Sequence, residues 1–346
     1  MYKRKIIYFL IFAIIITTAL SGCTDNQQPT ETLSKDSFML GTFVVVTLYD
    51  HQNEEIIDKV FNRFDEIENR MSINIETSDV SKINDNAGIK PVKVHDDVYY
   101  VLKKAKEFAQ ISHGAFEPTI GPLVKLWGIG TEHERIPSEG EIEENLLKID
   151  YNKLELMEDN MVYLSEPGMV LDLGGIAKGY AADEAKKILL ENKVESAIID
   201  LGGNIFAVGS KPNGDAWRIG IQDPYRVRQK HVGIVQDEDI SVVTSGNYER
   251  YFEKDGVRYH HIIDSKTGYP ARNNVAGISV LSDTSIQGDG LSTAFYVLGV
   301  EEGLKLANSL DEIEIIYITK DKKLYLSKGV KDKFEQTNEE FQIVTP

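Results

Sequence analysis

The chain has 346 residues, a single cysteine, and 55 acidic against 38 basic side chains, for a formal charge of −17 at pH 7. That balance excludes sequence-independent nucleic-acid binding, which needs Lys and Arg against phosphate, and the lone cysteine excludes an intramolecular disulfide or a thiolate metal cluster. An acidic surface also repels a phosphate-bearing ligand, so a site for one needs a local offset, for which a divalent cation is the obvious candidate.

Lys3, Arg4 and Lys5 precede an apolar run from Ile6 to Leu20 that closes on "LSGC". This is the pattern of a secretory leader, and the run is shorter than the roughly 20 residues a membrane span requires. "LSGC" resembles the lipobox of bacterial-type lipoproteins. Residues 1–22 are therefore expected to be a signal peptide and Cys23 the lipid-modified first residue of the mature chain. Residues 23–36 are expected to form a flexible polar tether, and residues 37–346 one folded domain, extracytoplasmic and held to the cell membrane by its lipid. Loss of Lys3, Arg4 and Lys5 takes the charge from −17 to about −20.

Strands and helices then alternate. Residues 43–50, "FVVVTLYD", read as a strand. Residues 53–71 place Ile56, Val60, Phe61, Phe64, Ile67 and Met71 on one helical face. Residues 96–112 repeat that periodicity through Val98, Leu102, Ala105 and Phe108. Residues 153–164 read as a hairpin turned at Asp159-Asn160, and residues 314–327 as another. This mixture predicts a single α+β domain with a largely antiparallel sheet flanked by helices.

The tetrapeptide Asp-Leu-Gly-Gly occurs twice, at 172–175 and 200–203. The first is expected to end a short buried strand, "MVLDLGG", followed by a helix over 176–193 and a second strand, "SAIIDLGG". Glycine pairs at strand ends let backbone approach a ligand, and free amides at a helix start favour an anion. Neither a G-x-G-x-x-G nor a G-K-[ST] spacing is present, so the Rossmann and P-loop fingerprints are not supported. A purely structural tight turn is the alternative.

Three further stretches carry chemistry. Residues 112–130, "SHGAFEPTIGPLVKLWGIG", form a long glycine-rich excursion of the kind that is usually functional in a compact domain. Residues 242–271 contain "TSGN" and "HHIIDSKTG". Residues 285–299 place Asp289, Ser292 and Thr293 ahead of an apolar helix, with Asp289 and Thr293 in an i,i+4 relation. A carboxylate and a hydroxyl with backbone carbonyls suit a hard cation such as Mg²⁺. The alternative is that Asp289 is a helix cap.

Together "GAFEPTIGPLVKLWGIG", "DLGGIAKGYAAD", "TSGNYERYF", "HHIIDSKTGYP" and "GDGLSTAFYVLG" resemble the ApbE-type flavin transferases, the FAD:protein FMN transferases, from about Leu40 to Gly299. The resemblance implies a Mg²⁺-dependent enzyme that moves the FMN part of FAD through a phosphodiester bond onto a Thr or Ser hydroxyl of an extracytoplasmic flavoprotein, releasing AMP. Mn²⁺ and Ca²⁺ are alternative metals. It implies FAD contacts around Leu40, Asn74, Ala115, Phe116, Glu117, Asp172, Lys178, Ser245 and Ile263, with the turns at Gly174-Gly175 and Gly202-Gly203 lining the same cleft. It further implies a metal at Gly175, Asp289, Ser292 and Thr293, with His261 as the base and Lys178 nearly alone as a cation. If the segment that holds His260 and His261 is a strand, His260 points to the opposite face from His261. The chain departs from the usual pattern at Leu40, where methionine is common, at Asn74, where an aromatic is common, and at Ser292, where some relatives have a second aspartate. Two other readings remain: a pyrophosphatase giving FMN and AMP, and a non-catalytic FAD-binding lipoprotein.

Overall fold

Nine strands form the central sheet of this computed structural model, which describes residues 31–226 and 230–344. In chain order they are β1 (Leu33–Met39), β2 (Thr42–Leu48), β6 (Ser196–Leu201), β7 (Asn204–Gly209), β10 (Ile240–Gly246), β13 (Val275–Ser282), β14 (Ile313–Thr319), β15 (Lys323–Leu326) and β17 (Gln342–Val344), and they lie side by side in that same order. All neighbours are antiparallel except β15 and β17. β13 is buried along its whole length, because both faces of the sheet are covered.

One face carries the helices α1 (Glu54–Met71), α2 (Asp79–Asp85), α3 (Asp96–Ile111), α6 (Ala177–Glu191) and α7 (Ser285–Ala307). The apolar stripe of α1, Ile56, Val60, Phe64, Ile67 and Met71, is buried there as its periodicity predicts. Asn53 caps α1 by accepting the Glu55 N–H. The other face packs a three-stranded sheet of β8 (Trp217–Gln222), β9 (His231–Asp237) and β16 (Phe334–Gln336), with Trp217, Ile219, Val235 and Ile316 in the seam.

A short sheet of β3 (Val92–Lys93), β4 (Leu154–Met157) and β5 (Met161–Leu164) includes the predicted hairpin at Asp159-Asn160. The hairpin β11 (Tyr251–Lys254) and β12 (Val257–His260) joins α4 (Gly121–Trp127) and α5 (Glu139–Leu146) around Trp127. The indole Nε1 of Trp127 donates to Gly268 O at 2.8 Å, which ties the 112–130 excursion to the "HHIIDSKTG" segment.

Two expectations are corrected. The tether does not extend to residue 36, since β1 begins at Leu33. This is an edge strand with only one packed face, and its polar composition hid it. Residues 169–175 are not a ladder strand: Val170 makes one isolated bridge to Ile120. The Asn84 side chain instead takes the N–H and carbonyl of Leu171 (2.7 and 3.2 Å), and Pro118 O takes the Asp172 N–H at 2.9 Å. Those bonds satisfy the backbone without a neighbouring strand. Cys23 and residues 1–22 lie outside the described residues, as do the first residues of the tether.

Candidate active site

A cleft of about 430 Å³ opens beside the start of α6. One wall begins at the β1–β2 turn. Leu40 and Gly41 both have positive φ, 54° and 69°, as a two-residue primed hairpin requires. For Leu40 this conformation costs about 1 kcal/mol, and Glu68 of α1 holds it by accepting the Leu40 N–H at 3.0 Å. Met71 and Asn74 continue this wall.

The 112–130 excursion supplies the second wall through Ala115, Phe116 and Glu117. The Glu117 carboxylate accepts from Thr119 N (2.9 Å), Thr119 Oγ1 (2.7 Å) and Tyr151 N (3.1 Å). Its lone pairs are thus occupied in shaping the loop, while burial raises its pKa above the ordinary carboxylate value.

The floor is the first Asp-Leu-Gly-Gly turn. Asp172 Oδ1 accepts the Gly174 N–H at 2.8 Å. Burial pushes the Asp172 carboxyl up, opposed by that N–H and by the positive charges of Arg250, Lys125 and Lys178. α6 follows directly and crosses α7 at very short range. A Cβ on Gly179 would stand 2.3 Å from Ser285 O and 2.7 Å from Asp289 Cβ, so only glycine permits this approach.

The crossing makes each helix cap the other. Asp289 Oδ2 accepts the Gly179 N–H at 2.9 Å. Asp183 accepts the N–H groups of Ser285 (2.7 Å) and Ile286 (2.9 Å) at the start of α7. Asp289 Oδ1 is left toward the cleft, 3.3 Å from Lys178 Nζ. Asp289 therefore lies inside α7 rather than ahead of it, and it caps α6 rather than its own helix.

His261 lines the cleft with Ile263. Its Nδ1 is 3.2 Å from Arg250 O. A carbonyl can only accept, so Nδ1 carries the proton and Nε2 keeps its lone pair. Burial, aided by the charges of Arg250 and Lys178, pushes the imidazole down to about 3. His260 is turned away as predicted, with Nε2 at 3.1 Å from Ala271 O.

Three predicted contacts do not reach the cleft wall. Gly202 and Gly203, with φ of 68° and 97°, form the two-residue turn between β6 and β7, since a hairpin rather than a helix follows them. Gly202 presses on Thr42, whose Oγ1 would lie 1.9 Å from a Cβ on Gly202, and so buttresses the Leu40–Gly41 turn. Ser292 is fully buried, its Oγ 2.9 Å from Asp289 O and 2.8 Å from Ser245 Oγ. This i→i−3 bond to its own helix turns it from the cleft, and Ser245 alone of the pair borders it. Conversely, Arg250 lines the cleft, so Lys178 is not alone. Its signal was the single cation inside "TSGNYERYF".

Among the described residues no group of three His, Cys, Asp or Glu side chains could hold a metal. The oxygens present are of another kind. Thr293 Oγ1 stands 3.3 Å from where a Gly175 Cβ would be, next to Asp289 in the same cleft. One carboxylate and one hydroxyl suit a hard cation that completes its shell with phosphate and water.

The ApbE family model matches residues 40–317. A FAD:protein FMN transferase of Treponema pallidum is 35% identical over 99% of this chain and 99% of its own length. One of Klebsiella pneumoniae is 36% identical over 90% of this chain and 96% of its own. Among solved structures, the ApbE protein of Thermotoga maritima superposes with a TM-score of 0.82 at 33% identity, covering 88% of this chain and all of that one. The flavin transferase ApbE of Vibrio cholerae does so with a TM-score of 0.80 at 30% identity, with the same coverage.

Proposed function

The chain belongs to the ApbE family and is a FAD:protein FMN transferase, and we propose that the cleft between α6, α7 and the 112–130 excursion is where it moves FMN from FAD to a Thr or Ser hydroxyl. The observation that carries this reading is the convergence of Lys178, Arg250, His261, Asp289 and Thr293 on one cavity.

FAD lies with its ring systems against the apolar walls at Leu40, Phe116 and Ile263, and its pyrophosphate over Gly174, Gly175 and the start of α6. Lys178 and Arg250 face that pyrophosphate and offset the repulsion from a protein of charge −17. Asp289, Thr293 and the Gly175 carbonyl are the oxygens that would hold Mg²⁺, which when bound neutralises the pyrophosphate and the charge that builds on the leaving phosphate.

The acceptor hydroxyl gives its proton to His261 Nε2, and its oxygen forms a bond to the FMN phosphorus. The bond from that phosphorus to the bridging oxygen breaks, and AMP leaves with the electron pair. A base at pKa about 3 is weak for this task at neutral pH. The anionic pyrophosphate opposes the part of that lowering that comes from Arg250 and Lys178, while burial, its largest cause, remains.

The amino-terminal pattern supports an extracytoplasmic enzyme anchored by lipid on Cys23, facing acceptor flavoproteins on the same side of the membrane. Incubating the protein with FAD, Mg²⁺ and a candidate acceptor domain tests the chemistry. Covalent flavin on the acceptor with AMP in solution is expected. Free FMN with unmodified acceptor would mean a pyrophosphatase, and intact FAD a carrier.

A further inference from the structure

His260 and His261 are neighbours in sequence, yet they border different cavities. Behind the β11–β12 hairpin from the flavin cleft lies a second, open groove of about 1070 Å³. Arg258, Arg272 and Lys320 line it, with Tyr225 and Tyr259 beside them and His260 at its base.

The charge there is opposite to that of the molecule as a whole. Among the described residues neither Arg272 nor Lys320 has a carboxylate in salt-bridge contact. Arg272 rests near the Tyr269 ring, 5.6 Å from its centroid, and Lys320 Nζ donates to Asn273 O at 2.7 Å. Arg258 is paired to Glu253 at 3.0 Å and stacks on Tyr251 at 3.9 Å. Arg226 also lines the groove and is paired to Asp223 and Glu340, so among the described residues Arg272 and Lys320 are the lining cations left without carboxylates, and an oxyanion relieves the repulsion between them.

His260 supplies the second, independent observation. It is 4% exposed. Its Nε2–H is used on Ala271 O, and its Nδ1 is buried with no hydrogen-bond partner. A buried acceptor left unpaired is destabilising, and the nearest chemistry that answers it is a ligand hydroxyl. An oxyanion that also carries a proton meets both needs.

We propose that this groove is a binding site for a phosphate group, with its anionic oxygens on Arg272 and Lys320 and its P–OH toward His260 Nδ1. The site is separate from the flavin cleft and holds whether or not the transfer chemistry is as described above.

The test uses the full-length protein with its cleft saturated by FAD in the absence of metal, and titrates inorganic phosphate, sulfate and ribose 5-phosphate by calorimetry. Phosphate is expected to bind at one further site, at least several-fold tighter than sulfate, which has no proton to offer at neutral pH. Arg272→Ala combined with Lys320→Ala is expected to weaken phosphate at least tenfold while leaving FAD affinity unchanged. His260→Asn, which keeps a donor for Ala271 O, is expected to erase the preference over sulfate. Ribose 5-phosphate binding tenfold tighter than phosphate identifies a phosphate monoester lying along the tyrosines, and equal binding identifies free phosphate. Phosphate that competes with FAD, or that binds the double variant as well as the wild type, overturns the proposal.

Discussion

Asp289 Oδ2 accepts the Gly179 N–H at 2.9 Å while Oδ1 faces Lys178 at 3.3 Å. One carboxylate thus caps the helix that forms the cleft floor and still leaves its second oxygen toward the cleft, so the cap does not use up the carboxylate.

Asparagine at this position separates them. Asp289→Asn keeps an oxygen for Gly179 and is expected to retain stability within about 0.5 kcal/mol, whereas Asp289→Ala loses the cap and about 1 kcal/mol. Both should lose nearly all Mg²⁺-dependent transfer. Urea midpoints and transfer rates measured together check this, and an active Asp289→Asn would leave the residue as a cap only.

Gly179 itself is a packing requirement. Gly179→Ala places a Cβ 2.3 Å from Ser285 O and is expected to cost about 1–3 kcal/mol as α6 and α7 separate. FAD affinity should fall with it, because Lys178 and Asp289 move with those helices. A variant with wild-type urea midpoint and FAD affinity would show that the crossing does not position the site.

How much of this was legible follows from how far each cause reaches along the chain. The stripes of α1 and α3 and the hairpin at Asp159-Asn160 depend on neighbours within a few residues, and they were read correctly. The two Asp-Leu-Gly-Gly turns are identical as text, but one precedes a helix and the other a hairpin strand, so only the first lines the cleft. The cap between Asp289 and Gly179 spans 110 residues and that between Asn84 and Leu171 spans 87. Pairings of that separation have no local signature. The contributions of Phe116, His261 and Thr293 to one cavity came through the family resemblance rather than through periodicity.

In the proposed mechanism His261 acts on a proton and not on binding. His261→Ala is expected to hold FAD affinity within a few-fold while slowing transfer by roughly 10²–10⁴. Equilibrium binding of FAD and single-turnover transfer check the two halves, and unchanged transfer would reduce His261 to a hydrogen bond on the turn at Arg250.

Stability should depend on pH through His260. Burial, with the charges of Lys320 and Arg258, pushes its pKa down to about 4 against an ordinary 6.5. In the unfolded chain it protonates first as pH falls, so its contribution is complete above pH 6.5 and is lost progressively down to about pH 4. The loss is on the order of 3 kcal/mol. Urea midpoints across that window are expected to fall more steeply for the wild type than for His260→Asn, with carboxylates common to both. Parallel curves would contradict the burial of a neutral imidazole.

The anchor is tested on the cell. Cys23→Ser is expected to release soluble, active enzyme or to leave an uncleaved precursor. A wild-type protein that partitions into the aqueous phase with an unmodified amino terminus would rule out lipidation.

The central claim is that a cation held at Asp289 enables covalent FMN transfer, and a Mg²⁺ titration followed by mass spectrometry of the acceptor measures it directly. The wild type is expected to add one FMN per acceptor with a saturable dependence on Mg²⁺ and no transfer in EDTA, Thr293→Ala to need more Mg²⁺ because water can replace one neutral ligand, and Asp289→Asn to add none at any concentration. Full transfer by the wild type in EDTA, or by Asp289→Asn at the wild-type rate, would contradict it.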